Sequence, residues 1–511
     1  MRVPSLPRSS KHGSLKSLSS TAPQCTFSTL LLCFYQLAEL ISWAASPSAV
    51  SLRMLPRGML TLLWVMLAAA SSSNFADVKF AKGMGSRGYT ALRISVVSNG
   101  APTADFAFDY SRPFQHRWTD YWLQSTVINA TPGVPQVLNL GRAGNVTVPS
   151  LPAEGAAVRG IFLGDPCTEP GFVGCIHFNG TGAANMSTRL PRLFNAITDV
   201  DFRVVLGDNL YDSGGAITQR FHTALTPAAR QLFSLTVPGN HDYWTVGAPL
   251  GKTKKDQFGN GFMQYYAQDV VAGRGNASTT PFDFTVDPDT KQLPPASNFA
   301  FYHKIGDTGF IGFSGAHTKE DHIAFFEEAC AYFDESVPRP AIIFALGHWS
   351  EAGLGAPIGM STPAVFGRLS KLRGCDRGTL RYAMGHTHCN RVDRSEGAAL
   401  APVPPASSTP ATKAQMPVGT HSNRGVEGEA IGYLLGGTGV RGDYMGCNTF
   451  GFAYYESGAR ELVVGFTLAE NDADQYDHIV NCFEMRGISN CLSLGTVWRN
   501  SSMSRGSRHE L

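Results

Sequence analysis

The chain has 511 residues, of which 43% are hydrophobic and 16% are charged, so it is long enough for two folded domains and too apolar to be disordered throughout. Its 42 basic and 40 acidic residues leave a formal net charge of +2, with no strong basic patch carrying interleaved aromatic residues. This composition excludes a coiled coil and gives no support to nucleic-acid binding, so no nucleic-acid partner is predicted.

Residues 1–70 are predicted to be a leader. Residues 54–70 contain a basic residue, an apolar run and a final row of three alanines, the pattern of a secretory signal peptide. An earlier apolar run at 27–45 is an alternative signal or anchor, and either Met1 or Met54 is the start of translation. No later apolar run is long enough to span a membrane, so the mature chain is expected to be secreted or lumenal.

Residues 71–155 are predicted to form a β-rich N-terminal extension. Apolar and polar residues alternate at 92–97 and 106–110, and prolines and glycines lie between these stretches, as expected for half-buried strands. The extension is either a separate β domain or a set of extra strands on the following sheets.

Residues 156–497 are predicted to form an α/β domain. Buried strands are predicted at four short apolar runs, 158–163, 202–206, 342–346 and 380–384. Helices are predicted at four stretches, 187–197, 216–225, 321–334 and 362–372. Three later strands have no helix between them and indicate a second sheet that is antiparallel or mixed: 431–435, 450–455 and 461–468. This alternation is typical of a layered α/β core.

Most of these strands end in a glycine followed by residues that bind hard metal ions. The segments are Gly164-Asp165, Gly207 to Tyr211, Gly239 to Asp242, Leu346 to His348 and Gly385 to His388. Open α/β sheets bind ligands at the carboxyl ends of their strands, so one sheet edge would collect all of these side chains. Carboxylate, amide, phenolate and imidazole donors suit an iron ion paired with a divalent metal, and they differ from a sulfur-ligated zinc site.

Each segment alone also fits an ordinary turn or a core histidine. Their ordered recurrence resembles the motif series of the purple acid phosphatases, a branch of the calcineurin-like metallophosphoesterases, over roughly residues 156–470. The most specific segment is Gly207 to Tyr211, because its tyrosine separates the purple branch from zinc or manganese relatives. The resemblance implies a four-layer α/β/β/α sandwich.

The resemblance also implies a role for each donor. Fe(III) would be bound by Asp165, Asp208, Tyr211 and His388. A divalent Fe²⁺, Zn²⁺ or Mn²⁺ would be bound by Asn240, His348 and His386, with Asp208 bridging both ions. Asn240 and His241 would bind the substrate, and His241 would protonate the phosphate or the departing alkoxide.

The implied activity is acid phosphatase, in which an activated water attacks a phosphomonoester in line with the leaving group. Two alternatives stay open, a non-catalytic scaffold for protein contacts and a phosphodiesterase-type relative. All seven metal-binding residues are present, which favours catalysis, and Tyr211 favours a monoesterase.

Three departures from the family pattern stand out. Cys167 occupies the position two residues after Asp165 where glycine is usual, and Ala345 replaces a valine before His348. No histidine occurs at 349–385, where the family has one, so His241 is the only evident acid; Glu351 is nearby in sequence.

Eight cysteines follow residue 70 and fit up to four disulfides, including a small loop between Cys167 and Cys175. Cys389 is either a soft metal ligand or half of a disulfide, and the disulfide is favoured because a thiolate beside iron oxidises readily. Six sequons predict a glycoprotein: Asn129, Asn145, Asn179, Asn185, Asn276 and Asn500.

Residues 398–425 are rich in Pro, Ala, Ser and Thr and are predicted to form a mobile loop, either shaping substrate access or lying on the surface as a tolerated insertion. Residues 498–511 are predicted to be a tail. Its last four residues, Arg508 to Leu511, are either an ER-retrieval signal or a sequence without that meaning. The oligomeric state is not indicated.

Overall fold

The computed structural model describes residues 76–82, 89–99, 107–108, 110–113, 121–140, 144–169, 175, 186–212, 215–242, 260–266, 299–350, 360–394, 430–440, 449–458, 461–469 and 472–500. These residues all belong to one compact unit, Asn74–Leu511. The predicted leader, the loop at 398–425, the tail beyond Asn500 and the sequons at Asn179, Asn185 and Asn276 lie outside them.

The N-terminal extension is built of strands, as predicted. Four of them, β1 (Ala76–Lys82), β2 (Ala91–Asn99), β3 (Tyr110–Pro113) and β4 (Tyr121–Asn129), form an antiparallel sheet in the order β1-β2-β4-β3. Two more, β5 (Gln136–Asn139) and β6 (Asn145–Val148), form an antiparallel pair. The inward residues Leu92, Ile94 and Val96 belong to the same buried cluster as the following α/β sheets. The extension therefore has its own sheet but shares one core with the rest of the unit.

Three parallel strands begin the first α/β sheet: β7 (Arg159–Leu163), β8 (Phe202–Leu206) and β9 (Phe233–Val237). The second sheet comprises β10 (Phe301–Ile305), β11 (Thr308–Gly312), β12 (Ile342–Gly347), β13 (Leu380–Met384), β14 (Arg391–Arg394) and β15 (Ala430–Leu434), in the order β10-β11-β12-β13-β15-β14. The first sheet is completed by β16 (Thr449–Glu456), β17 (Leu462–Ala469) and β18 (Thr496–Asn500), in the order β18-β17-β16-β7-β8-β9.

Helices cover the outer face of each sheet. The helices of the described residues are α1 (Met186–Ala196), α2 (Ala216–Thr223), α3 (Pro227–Gln231), α4 (Asn260–Tyr265), α5 (Lys319–Glu335), α6 (Thr362–Leu369) and α7 (Ala473–Arg486). Two short 3-10 turns follow α7, at Ile488–Asn490 and Leu492–Leu494. Helices α1, α2, α3 and α7 pack on the first sheet, and α5 and α6 pack on the second.

Aromatic residues fill the space between the two sheets. The ring centre of Phe162 on β7 lies 4.8 Å from that of Phe344 on β12, and Phe202 on β8 lies 4.8 Å from Phe310 on β11. Ring pairs at this separation add to the free energy gained from burying their area. With helices outside and this core inside, the predicted four-layer α/β/β/α arrangement is confirmed.

The later strands do not form a sheet of their own. β15 pairs in parallel with β13 in the second sheet, whereas β16 pairs antiparallel with β7 in the first. Both sheets are therefore mixed. The sequence did not predict which sheet each of these strands joins, because strands buried on both faces carry no sequence signal for their neighbours. β18 also continues to Asn500, so the predicted tail begins inside a strand.

Among the described residues, no helix has the length and apolar character needed to cross a membrane.

Candidate metal centre

The predicted ligand segments all leave the sheets at the carboxyl ends of parallel strands. Asp165 follows β7, Asp208 follows β8 and Asn240 follows β9, while His348 follows β12 and His386 follows β13. All five of these side chains are buried. His348 also links the two sheets, because its Nδ1 donates to the carbonyl oxygen of Leu206 at the end of β8 (2.8 Å). The structure thus brings the predicted residues to one shared edge.

Asp165, Tyr211 and His388 form the first group of donors. The Tyr211 hydroxyl lies 3.0 Å from Asp165 Oδ1 and 3.0 Å from His388 Nε2, and His388 Nε2 lies 3.2 Å from Asp165 Oδ1. The other carboxylate oxygen of Asp165 accepts from the backbone N–H of His386 (2.8 Å). That bond fixes the carboxylate and leaves Oδ1 facing the other two donors.

Asn240, His348 and His386 form the second group. Asn240 Oδ1 lies 3.0 Å from His348 Nε2 and 3.1 Å from His386 Nδ1. The two ring nitrogens are 3.2 Å apart. Three potential ligand atoms from three different strand ends therefore meet at one point.

Asp208 lies between the two groups. Its Oδ1 is 3.4 Å from His348 Nε2, and its carboxylate also hydrogen-bonds to the Tyr211 side chain. One donor atom from each of Asp165, Asp208 and His348 lies within 4.8 Å of the other two. A carboxylate in this position can share its oxygens between two cations.

The hydrogen-bonding roles of these atoms fit metal binding. Because the Leu206 carbonyl can only accept, His348 Nδ1 carries a proton and Nε2 is the ring nitrogen left to bind a metal ion. That nitrogen faces Oδ1 of Asn240 and Oδ1 of Asp208, two oxygens that can bind the same ion. Ligands that bind one ion at about 2.1 Å with near-octahedral angles lie about 3 Å apart, which matches these contacts. The residues present therefore fit a pair of cations.

The charges in the pocket also indicate that cations bind here. Burial lowers the pKa of His348, but the charges of Asp208 and Asp165 outweigh it and raise this pKa to about 9. Burial, together with Asp165 and Asp208, holds the pKa of Tyr211 well above its usual range. A phenolate at Tyr211 therefore requires a cation beside it.

The backbone of the ligand segments is strained. Among the described residues, those other than glycine with a positive φ all lie in these segments: Asp165, Asp208, Leu210, Tyr211, His386 and His388, with φ between 47° and 67°. A left-handed conformation costs such residues roughly 1–2 kcal/mol each. Strain of this kind persists at functional sites where the surrounding contacts enforce it.

Two glycines permit the close approach of these segments. A Cβ atom on Gly207 would lie 2.5 Å from His348 Nδ1, and one on Gly239 would lie 2.2 Å from Asp208 Oδ1. Both distances are far shorter than a non-bonded contact, so any side chain at either position would displace a donor.

Asp242 is a residue of this site whose contacts the sequence did not reveal. Its Oδ1 accepts from the backbone N–H of Asn209 (2.7 Å), and its Oδ2 accepts from Asn209 Nδ2 (2.9 Å) and the Gly239 N–H (2.6 Å). Asp242 thereby ties the loop after β8 to the loop after β9. The signal was an acidic residue directly after Asn240-His241, which stood in the sequence without an evident partner.

His241, the predicted acid, lies at the rim of this site. Its backbone N–H donates to Asp208 Oδ1 (2.8 Å), and its ring centre is 5.0 Å from that of Tyr211. The residue is half-buried, as is Tyr211, whereas the other six donors are buried. Its imidazole can therefore be reached from solvent.

The cysteine predictions are confirmed. Disulfides join Cys167 to Cys175, Cys330 to Cys375 and Cys482 to Cys491. Cys389 is also disulfide-bonded, which excludes it as a soft metal ligand.

Comparison with known proteins gives one family match and one structure that is similar at low sequence identity. Residues 171–390 match the family model of the calcineurin-like phosphoesterases, and this range contains every predicted metal-binding residue except Asp165. A purple acid phosphatase from yellow lupin (Lupinus luteus) seeds is similar in structure, with a TM-score of 0.46 and 13% identity, covering 78% of this chain and 73% of that chain. No curated protein matches in sequence. Residues 171–390 are therefore similar to the calcineurin-like phosphoesterases, as the order of the motifs predicted.

Proposed function

We propose that the protein is an acid phosphatase that hydrolyses phosphomonoesters with a binuclear centre of Fe(III) and a divalent Fe²⁺, Zn²⁺ or Mn²⁺. The observation that carries this proposal is the meeting of two donor groups at one carboxylate, Asp208, with a phenol in only one of them. Phenolate is a hard, anionic oxygen ligand and suits ferric iron better than the softer divalent ions.

The proposed ligands follow the two groups. Asp165, Tyr211 and His388 would hold Fe(III), and Asn240, His348 and His386 would hold the divalent ion, with Asp208 shared between them. When bound, such a pair supplies a deprotonated water at mild pH and neutralises charge on the phosphate. Six of the seven proposed ligands are buried, and Tyr211 is half-buried.

Asn240 and His241 are proposed to bind the phosphate ester. The hydrogen bond from the His241 N–H to Asp208 fixes this segment relative to the shared carboxylate. The half-buried imidazole would donate a proton to the departing oxygen. This role fits a side chain that is neither a ligand nor fully buried.

Two alternatives are less well supported. A scaffold that no longer binds metal would not need six residues other than glycine in the left-handed conformation at this edge. Each such residue lowers the free energy of unfolding. A phosphodiesterase relative would not need the phenol of Tyr211.

Hydrolysis assays on the chain purified without its leader and supplied with iron and zinc separate these functions. We expect p-nitrophenyl phosphate to be hydrolysed at mildly acidic pH and bis(p-nitrophenyl) phosphate to be a poor substrate. A preference for the diester would point to the phosphodiesterase alternative. Bound metals without turnover of either compound would point to the scaffold.

We also propose that the protein passes through the secretory pathway. Three described disulfides support this, because such bonds persist in oxidising compartments. The sequon residues Asn145 and Thr147 are both exposed on β6, where an enzyme that attaches glycans can reach them. We expect glycosidase treatment to remove less mass from Asn145→Gln than from the wild-type chain; equal losses of mass from both chains would contradict glycosylation at Asn145.

A further inference from the structure

The Cys167–Cys175 disulfide is in contact with the first donor group. Cys167, Cys175 and Val440 form a small buried cluster, and the side chain of Tyr211 packs against it. Cys167 is also only two residues from Asp165. The disulfide therefore touches one proposed ligand and is joined through the backbone to another.

The segment at 438–440 secures both sides of this turn. The backbone N–H of Thr438 donates to the Gly164 carbonyl, and the Cys167 N–H donates to the Thr438 carbonyl (3.2 Å). Cys175 forms an isolated β-bridge with Val440. Asp165 lies between the two anchored positions, so the disulfide and this segment together restrict where its carboxylate can go.

The backbone at Asp165 and Tyr211 needs this restraint because it is strained. Asp165 and Tyr211 have φ values of 47° and 51°, in the left-handed region that residues with side chains seldom adopt. Glycine is usual at position 167 in the family that the sequence resembles, but here the position holds a buried cysteine. The covalent bond to Cys175 fixes this position instead.

We propose that the Cys167–Cys175 disulfide is a positioning element that holds Tyr211 against Asp165, so that phenol and carboxylate reach the same metal ion. This inference rests on the proposed function. Side chains that support ligands in this way change metal affinity without touching the metal. Loss of the disulfide would therefore weaken the Tyr211-containing group and leave the group at Asn240, His348 and His386 intact.

The chain offers a matched control in the Cys482–Cys491 disulfide. The two bonds close loops of nearly equal length, with sequence separations of 8 and 9 residues, so their removal should relax the unfolded chain by similar amounts. The Cys482–Cys491 disulfide lies near the opposite end of β7. Ser489, in the loop that this disulfide closes, accepts a hydrogen bond from Arg159, the first residue of that strand. Five strand residues, about 16 Å, separate that end from Asp165.

The experiment compares two double variants of the full mature chain, Cys167→Ala/Cys175→Ala and Cys482→Ala/Cys491→Ala. Metal per chain is measured after dialysis against a chelator, together with Tm and the phenolate-to-iron absorption band. We expect both variants to lose similar Tm. Only the first should lose metal at least about tenfold faster and show a weakened or shifted band. Equal metal retention and the same band in both variants would overturn the proposal.

A second variant covers the case in which the first does not fold. Val440→Ala keeps the disulfide but removes part of the packing in its cluster. We expect a smaller change in the same direction, and an unchanged band with unchanged metal retention would overturn the inference. A wild-type chain that binds two metals but no iron would contradict the proposed function instead. The comparison of metal retention between the two disulfide variants would still decide the positioning role.

Discussion

Asp208→Asn is expected to lower kcat for p-nitrophenyl phosphate by more than about 10³-fold, equivalent to roughly 4 kcal/mol of lost transition-state stabilisation. The substitution keeps the shape of the side chain and leaves an oxygen to accept from the His241 N–H. It removes the negative charge that lies between the two donor groups. A neutral amide cannot hold two cations at a fixed separation, so the metal content should also fall below two per chain.

The measurement is steady-state turnover with metal analysis of the same sample. Asp376→Asn is the matched control, because this carboxylate is exposed in the turn between α6 and β13. The control should keep wild-type turnover and metal content. Undiminished hydrolysis by the Asp208 variant would refute the shared-carboxylate assignment, even if the rest of the site were correct.

His241→Asn is expected to have an effect that depends on the leaving group. A nitrophenolate departs readily without a proton, whereas an alkoxide does not, so an alkyl phosphate needs the acid more. We expect turnover of an alkyl phosphomonoester to fall by about 10²–10⁴-fold and turnover of p-nitrophenyl phosphate to fall much less. The two donor groups do not include His241, so the metal content should not change.

Turnover of both substrates by the same preparation provides the measurement. His478→Asn, at an exposed position of α7, controls for loss of a histidine as such. An equal loss on both substrates would mean that His241 binds the phosphate without protonating the leaving group. Wild-type turnover of the alkyl ester would remove His241 from the reaction.

The elements that carry the site were predictable because their sequence signals are local. Strand β8 was predicted at its observed bounds, and so was β13. Each is a short apolar run that ends in a glycine before polar residues, and such a run needs no distant information to be recognised. The order of the motifs then indicated which side chains would meet.

Features that depend on distant contacts were not predictable in this way. The joining of β16 to β7 is an example, because alternate residues of β16 face different cores and would do so in either sheet.

Helix α7 was not predicted, although its sequence signal is local. Tyr476, Ile479, Val480 and Phe483 form one buried face at helical spacing, and Asp472 caps the start of the helix. That pattern was readable in the sequence.

The pairing of Asp242 with Asn209 could not be predicted, because the sequence shows an acidic residue after Asn240-His241 but not its partner. Both residues are ordinary turn residues in sequence, and only the closeness of β8 and β9 makes them partners. The same holds for the contact of Tyr211 with the disulfide.

The central claim is that two cations occupy this edge, one of them ferric iron bound by Tyr211. Metal analysis combined with visible absorption of the chain purified without residues 1–70 tests it most directly. We predict two metal ions per chain, at least one of them iron, and a visible phenolate-to-iron band that disappears in Tyr211→Phe. Colourless protein that contains two zinc ions, or a band that persists in Tyr211→Phe, would contradict the account.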